Sequence, residues 1–226
     1  MTRRRRLGLG CLLVLLLFLG AFGFSARRLL FPRRLAVVSI RTERSYQDPA
    51  LMARAWEAPV ARAYRPGFFS QPNGSICGPT SLANVRRSQG EAGASLDAVL
   101  SGSGLCPLDV CWGGLSLDAL AGLHRRRGAR VTVLRPMDLQ GLRRELSHVD
   151  DPARRYVVNF DRGPLFGTEG GHHSPIGAFL ADRDLVFVLD VNARYGPWLV
   201  ATPRLLTAMN SVDRSTGRPR GLLRIE

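Results

Sequence analysis

Lysine is absent from this chain of 226 residues, so all 32 basic side chains are arginine, set against 18 acidic ones for a formal net charge of +14. A choice that one-sided reflects genome composition before it reflects function. Aromatic residues make up only 8% of the chain. The arginines occur in scattered pairs with no aromatics interleaved, which argues against a nucleic-acid surface. A basic surface still draws any anion, including a small acidic substrate. Cysteine is scarce, with four in all, and no histidine stands close to Cys106 or Cys111, so a four-ligand zinc site is poorly supported. That pair is left as a disulfide, two buried thiols or a minor metal ligand pair. No internal repeat is present, which excludes a solenoid. The length suffices for one domain with a real core.

One long apolar run is present. Leu7 to Phe24 follows Arg3-Arg4-Arg5-Arg6 and precedes Arg27 and Arg28, and a helix of that length spans roughly 27 Å, close to the hydrocarbon thickness of a bilayer. Residues 1–30 read as a membrane anchor, with a cleaved signal segment ending near Ala21-Phe22-Gly23 as the alternative. A short basic N-terminus held in the cytoplasm puts the folded part outside, on the periplasmic face of a bacterial inner membrane. Residues 31–46 read as a juxtamembrane linker and residues 47–226 as the catalytic domain.

Gln47 to Ala63 carries apolar residues at helical spacing interrupted by Pro59, which predicts two short helices. Ser75 to Arg87 predicts a helix entered through Cys77-Gly78-Pro79. Two further helices open at the serine caps Ser95 and Ser116. From Ala129 the pattern turns to strands at 131–134, 156–160, 174–180, 185–191 and 222–225, with helices at 138–148 and 203–209. A helical first half followed by an antiparallel second half is an α+β arrangement, with a cleft expected where they meet.

A thiol attacks only as thiolate, and a helix N-terminus favours that form. Cys77 sits at such a start. A histidine must accept its proton and a third group must orient the imidazole, and His172 and Asp190 follow on the two strands of a hairpin. Gln71 is positioned to offer an N–H to the oxyanion. A hairpin turning at Asp182 and Arg183 puts Asp190 opposite Pro175, on the face of His173. One bulge at Pro175 or Gly177 would move it to the face of His172. His173 would then face away.

Gln71-Pro72-Asn73-Gly74-Ser75-Ile76-Cys77-Gly78-Pro79-Thr80-Ser81-Leu82, Gly171-His172-His173-Ser174-Pro175-Ile176-Gly177 and Leu189-Asp190-Val191 resemble the three active-site segments of phytochelatin synthases. The stretch from Ala208 to Gly221 resembles that family's closing segment, so the resemblance covers roughly residues 47–226. It implies a papain-like cysteine-enzyme fold, a Cys77, His172 and Asp190 triad, and Gln71 in the oxyanion hole. It further implies that Asp213 and Arg220 bind the γ-glutamyl amine and carboxylate of glutathione, with Arg194 as a further candidate. The segment after Asp190 is shorter than the family's equivalent, which sets Arg194 apart.

The implied reaction is cleavage of the Cys–Gly bond of glutathione through a γ-Glu-Cys acyl-enzyme, with water or a second glutathione as acceptor. No covalent cofactor and no protein-bound metal are expected; cadmium or zinc would enter as a glutathione thiolate complex. A papain-like double-glycine leader peptidase and a non-catalytic metal-thiolate binding module are the rival readings. The oligomeric state is not legible. Removing residues 1–30 is expected to give a soluble protein that retains activity, whereas the full chain sediments with membranes if the run is uncleaved. Edman sequencing reads the cleavage, and a truncated chain that fails to fold would mean the run packs into the domain.

Overall fold

Prolines and short polar caps set the helix starts of the N-terminal half. The computed structural model describes residues 35–111 and 113–226, so the apolar run and the reading of it as an anchor lie outside the described residues. Helix α1 (Pro49–Trp56) opens on Asp48, whose carboxylate accepts from Leu51 N–H at 2.9 Å, and Pro59 opens α2 (Pro59–Tyr64). Helix α3 runs Cys77–Ser88; α4 (Leu96–Leu100) and α5 (Leu117–Arg125) are capped by Ser95 and Ser116 as their sequences predict. No helix among the described residues is long and apolar enough to cross a membrane.

The second half supplies β1 (Val131–Leu134), α6 (Leu139–Leu146), β2 (Arg155–Asp161), α7 (Gly163–Phe166), β3 (Gly171–Leu180) and β4 (Leu185–Val188). After these come β5 (Trp198–Ala201), α8 (Thr202–Met209), the short ribbon strands β6 (Val212–Asp213) and β7 (Arg218–Pro219), and β8 (Gly221–Ile225). Six strands form one sheet in the order β1-β8-β2-β3-β4-β5, every neighbouring pair antiparallel. The architecture is therefore α+β with an antiparallel sheet.

Helices α1 to α5 bury Val157, Leu185, Phe187 and Leu223 on one face. The expected split into a helical half and a sheet half is incomplete, because α6, α7 and α8 cover Val158, Phe160, Val186 and Leu222 on the other. A strand covered on both sides needs apolar residues at every position, and β4 is buried throughout. Within the stretch read as a linker, Ile40 and Tyr46 are buried in that second core, and Leu199 N–H donates to the Tyr46 carbonyl at 2.8 Å. Strand β5 and the β6–β7 ribbon had no clear alternation to announce them.

Ala178 pairs with Phe187, Phe179 with Val186 and Leu180 with Leu185, which is the simple hairpin register. The register then shifts, so that Ile176 pairs with Val188 and Gly177 is the extra residue of a bulge. Carried onward, the shift sets Asp190 level with Ser174 and on the face of His172. A Cβ on Gly177 would lie 3.0 Å from Leu189 Cγ and 3.1 Å from Phe187 Cδ1. Gly177→Val is expected to destabilise the fold by about 1–3 kcal/mol through overpacking. Urea denaturation reads this directly; an unchanged midpoint would mean the bulge absorbs a side chain freely.

Candidate active site

Cys77 is the first residue of α3, and Ile76 before it provides no side-chain cap, so the first-turn N–H groups and the positive helix end are directed at the thiol. The Ser81 hydroxyl, one turn on, lies 2.8 Å from the Cys77 carbonyl oxygen and 3.1 Å from that of His173. This shared donor ties the helix to β3. Gly78 permits the close packing beside it, since a Cβ there would meet Leu120 Cδ1 at 3.0 Å.

On β3, His172 Nε2 lies 2.8 Å from Asp190 Oδ1. With Nε2–H donating to the carboxylate, Nδ1 is left for the thiol. Asp190, its side chain wholly buried, also accepts from Arg162 Nη2 at 3.0 Å, Trp198 Nε1 at 3.0 Å and Asn192 N–H at 2.9 Å. Burial pushes the Asp190 carboxyl up, but the His172 and Arg162 charges and these donors outweigh it and hold the pKa down at about 2. Burial and the Arg162 cation oppose a charge on His172, yet Asp190 and the Cys77 thiolate prevail and its pKa is raised. Burial likewise opposes the Cys77 thiolate; the His172 charge and hydrogen bond, joined by His173, hold the thiol well below its ordinary range. Both directions favour a thiolate–imidazolium pair.

His173 does not face away from the nucleophile. Its Nδ1 lies 3.8 Å from Cys77 Sγ, on the α3 side of the sheet, while His172 takes the Asp190 side. Only His172 reaches the carboxylate.

Gln71 is joined to the strand end, its N–H donating to the Val191 carbonyl at 2.8 Å, while its Nε2 donates to the Asn73 carbonyl at 2.7 Å and its Oε1 is buried with no hydrogen bond. Cys111 N–H donates to Ser75 Oγ at 3.1 Å, and Ser75 Oγ to Asn73 Oδ1 at 2.7 Å. Cys111 is itself disulfide-bonded to Cys106, with Cα atoms 4.0 Å apart, so of the three readings of that pair the disulfide holds. The bridged loop thus supports the segment leading to Cys77.

Asp213 and Arg220 come together, Oδ2 and Nη1 being 3.7 Å apart, and Arg220 also faces Asp161 at 3.7 Å and Asn159 Oδ1 at 3.2 Å. Arg220 packs directly over Gly171, where no Cβ would fit. Arg194 is not part of this cluster. Its side chain is exposed in the loop after Asp190, with its carbonyl accepting from Arg41 at 3.2 Å.

Sequence reasoning missed Arg162, whose guanidinium lies 3.7 Å from the Tyr195 ring centroid, and it missed Trp198, Asn159 and Ser81. A lone Arg or Asn has no spacing signature, although Asn159, a polar residue inside the apolar strand 156–160, was a detectable anomaly. Among the described residues no group of three or more His, Cys, Asp or Glu is arranged to hold a metal ion.

The family model for phytochelatin synthase matches residues 97–222, more than half of the chain. The chain belongs to the phytochelatin synthase family. The matched stretch contains His172, Asp190, Asp213 and Arg220, while Gln71 and Cys77 precede it. Similar curated proteins include glutathione gamma-glutamylcysteinyltransferase 3 of Lotus japonicus, 37% identical over 114 residues covering 49% of this chain and 24% of the relative. Glutathione gamma-glutamylcysteinyltransferase 2 of Arabidopsis thaliana is 35% identical over 125 residues, covering 50% and 26%. This chain therefore spans about a quarter of these family members. The peptidase domain of Streptococcus ComA, a bi-functional ABC transporter, aligns at a TM-score of 0.47 with 13% identity, covering 69% of this chain and 93% of that one.

Because the folded-state proton affinity of His172 exceeds the ordinary value, its contribution to stability is present below the unfolded pKa and is lost as pH rises through the folded one. The Asp190 contribution has the opposite sign: it is present above the ordinary carboxyl pKa and is lost as pH falls towards about 2. In an NMR titration, His172 is expected to stay protonated to a higher pH than a free histidine. Asp190→Asn and Cys77→Ala should each lower that pKa; an unmoved His172 in both would rule out the ion pair.

Proposed function

We propose that this chain is a papain-like thiol enzyme that cleaves the Cys–Gly bond of glutathione through a γ-glutamylcysteinyl thioester on Cys77. The observation that carries the reading is the conjunction of two pairs. A thiolate at a helix N-terminus is served by His172 and Asp190, and an acidic and a basic group, Asp213 and Arg220, lie 3.7 Å apart. The γ-linked glutamate of glutathione carries one amine and one carboxylate on the same carbon, which such a pair suits. The names of the family members quoted above support the same substrate.

In the proposed reaction the Cys77 thiolate attacks the Cys–Gly carbonyl, and the oxyanion receives an N–H from Gln71. As the C–N bond breaks, the proton on His172 passes to the departing glycine amine. The neutral imidazole then takes a proton from the acceptor that attacks the thioester. Water yields γ-Glu-Cys; the amine of a second glutathione yields a phytochelatin. Cadmium or zinc would arrive bound to glutathione thiolates as part of the substrate. Arg194, exposed and apart from the Asp213 and Arg220 pair, has no contact among the described residues that supports its candidacy as a substrate-binding residue.

We further place the domain outside the cytoplasm, anchored or released through residues 7–24. The Cys106–Cys111 disulfide supports this, since such bonds persist in oxidising compartments.

Incubation with glutathione, with and without cadmium, and mass analysis of products tests the reading and ranks the acceptors. Cys77→Ala is expected to abolish glycine release, and appreciable turnover in that variant would refute the assignment. His172→Ala is expected to lower turnover on the order of a hundredfold to ten-thousandfold. The loss in His173→Ala should be smaller, because only His172 reaches Asp190.

A further inference from the structure

The second histidine of the pair is unused by the reaction above, yet it is buried, touches the thiol and stands at the end of a polar chain. Arg220 is where that chain begins. A guanidinium has donors and no acceptor, so the atom of Asn159 that faces Arg220 Nη1 at 3.2 Å must be its oxygen. That orientation turns the Asn159 amide nitrogen, which can only donate, towards the His173 ring. It lies 2.7 Å from Nε2 and 3.2 Å from Nδ1, close to both ring nitrogens. With Nε2 receiving that N–H, the ring proton sits on Nδ1. Nδ1 is the atom 3.8 Å from Cys77 Sγ.

We propose that His173 is a second catalytic histidine whose Nδ1–H donates to the Cys77 thiolate, with Asn159 and Arg220 as positioning residues that hold the ring in that orientation. It rests on the reading of Cys77 as nucleophile and assigns the two imidazoles opposite duties. His172, paired with Asp190, carries the mobile proton. His173 takes no proton from the thiol; it donates a hydrogen bond to the anion and so raises the thiolate fraction. The Ser81 hydroxyl, shared between the Cys77 and His173 carbonyls, holds the two residues at this separation. The charged groups around the ring are Cys77 from α3, Asp213 from β6, Arg220 before β8 and, through Arg220, Asp161 of β2.

The test is the pH dependence of Cys77 alkylation by iodoacetamide in the full chain, read by peptide mass so that other thiols do not intrude. His173→Phe keeps a ring and removes the donor. It is expected to reduce the Cys77 rate about tenfold at pH values below the ordinary thiol pKa, with the rates converging at high pH. His173→Gln, which keeps a side-chain N–H, should recover part of that loss. An unchanged profile in His173→Phe, or an equal loss in His173→Gln, overturns the proposal. Long-range 1H–15N NMR of the unmutated chain reads the tautomer without any substitution, and a His173 proton on Nε2 likewise overturns it. Neither readout uses glutathione. A chain that passes both tests but releases no glycine would refute the proposed function and leave this inference standing.

Discussion

The one-residue bulge at Gly177 is the constraint on which the site depends. Side chains alternate along a strand, so a shift of one residue exchanges every partner across the face of a hairpin. Below the bulge β3 and β4 pair in the simple register; above it Asp190 moves to the face of His172. Without the shift the carboxylate would share a face with His173. Gly177 is the residue at which this is possible, because Leu189 and Phe187 occupy the space a side chain would need.

With the register set, the two faces of the sheet divide the chemistry. The face towards α8 is apolar around Asp190, with Phe160 and Trp198 packed edge to face at 5.7 Å between ring centroids. A carboxylate there remains ionised only because it has His172, Arg162, Trp198 and the Asn192 N–H as donors. That fully paired anion is what makes an imidazolium tolerable beside it. The face towards α3 holds the thiolate and the His173, Asn159 and Arg220 chain. Cys77 at the helix start lies 3.8 Å from His173 Nδ1 on that face and draws on the His172 imidazole from the other.

Support for this arrangement comes from segments distant in sequence. The Gln71 N–H joins the loop before the nucleophile to Val191, just past Asp190. The Cys106–Cys111 loop braces Ser75 and, through it, Asn73. Arg220, from the connection between β7 and β8, lies over Gly171 at the head of the histidine strand. The parts of the site are therefore supplied by separate stretches of chain, and the packing of α3 against β3 brings them together.

Helix and strand positions were legible from sequence wherever a local signal existed. The serine caps before α4 and α5, Pro59 before α2 and the apolar runs of β2 and β4 each act within a few residues, so local patterns determine them. The motifs around Cys77, His172 and Asp190 were legible as well, because they are carried in short contiguous segments. Which histidine meets Asp190 was legible only from the motif, which chose His172, since parity from the simple turn pointed to His173 and a bulge leaves no mark in sequence beyond a glycine. Arg162, Trp198, Asn159 and the pairing of Cys106 with Cys111 were not legible. By itself the sequence determined which groups were available and which local elements they began or ended. Tertiary structure alone decided which of them share a face and a proton, because register and buried pairing depend on contacts between residues far apart along the chain.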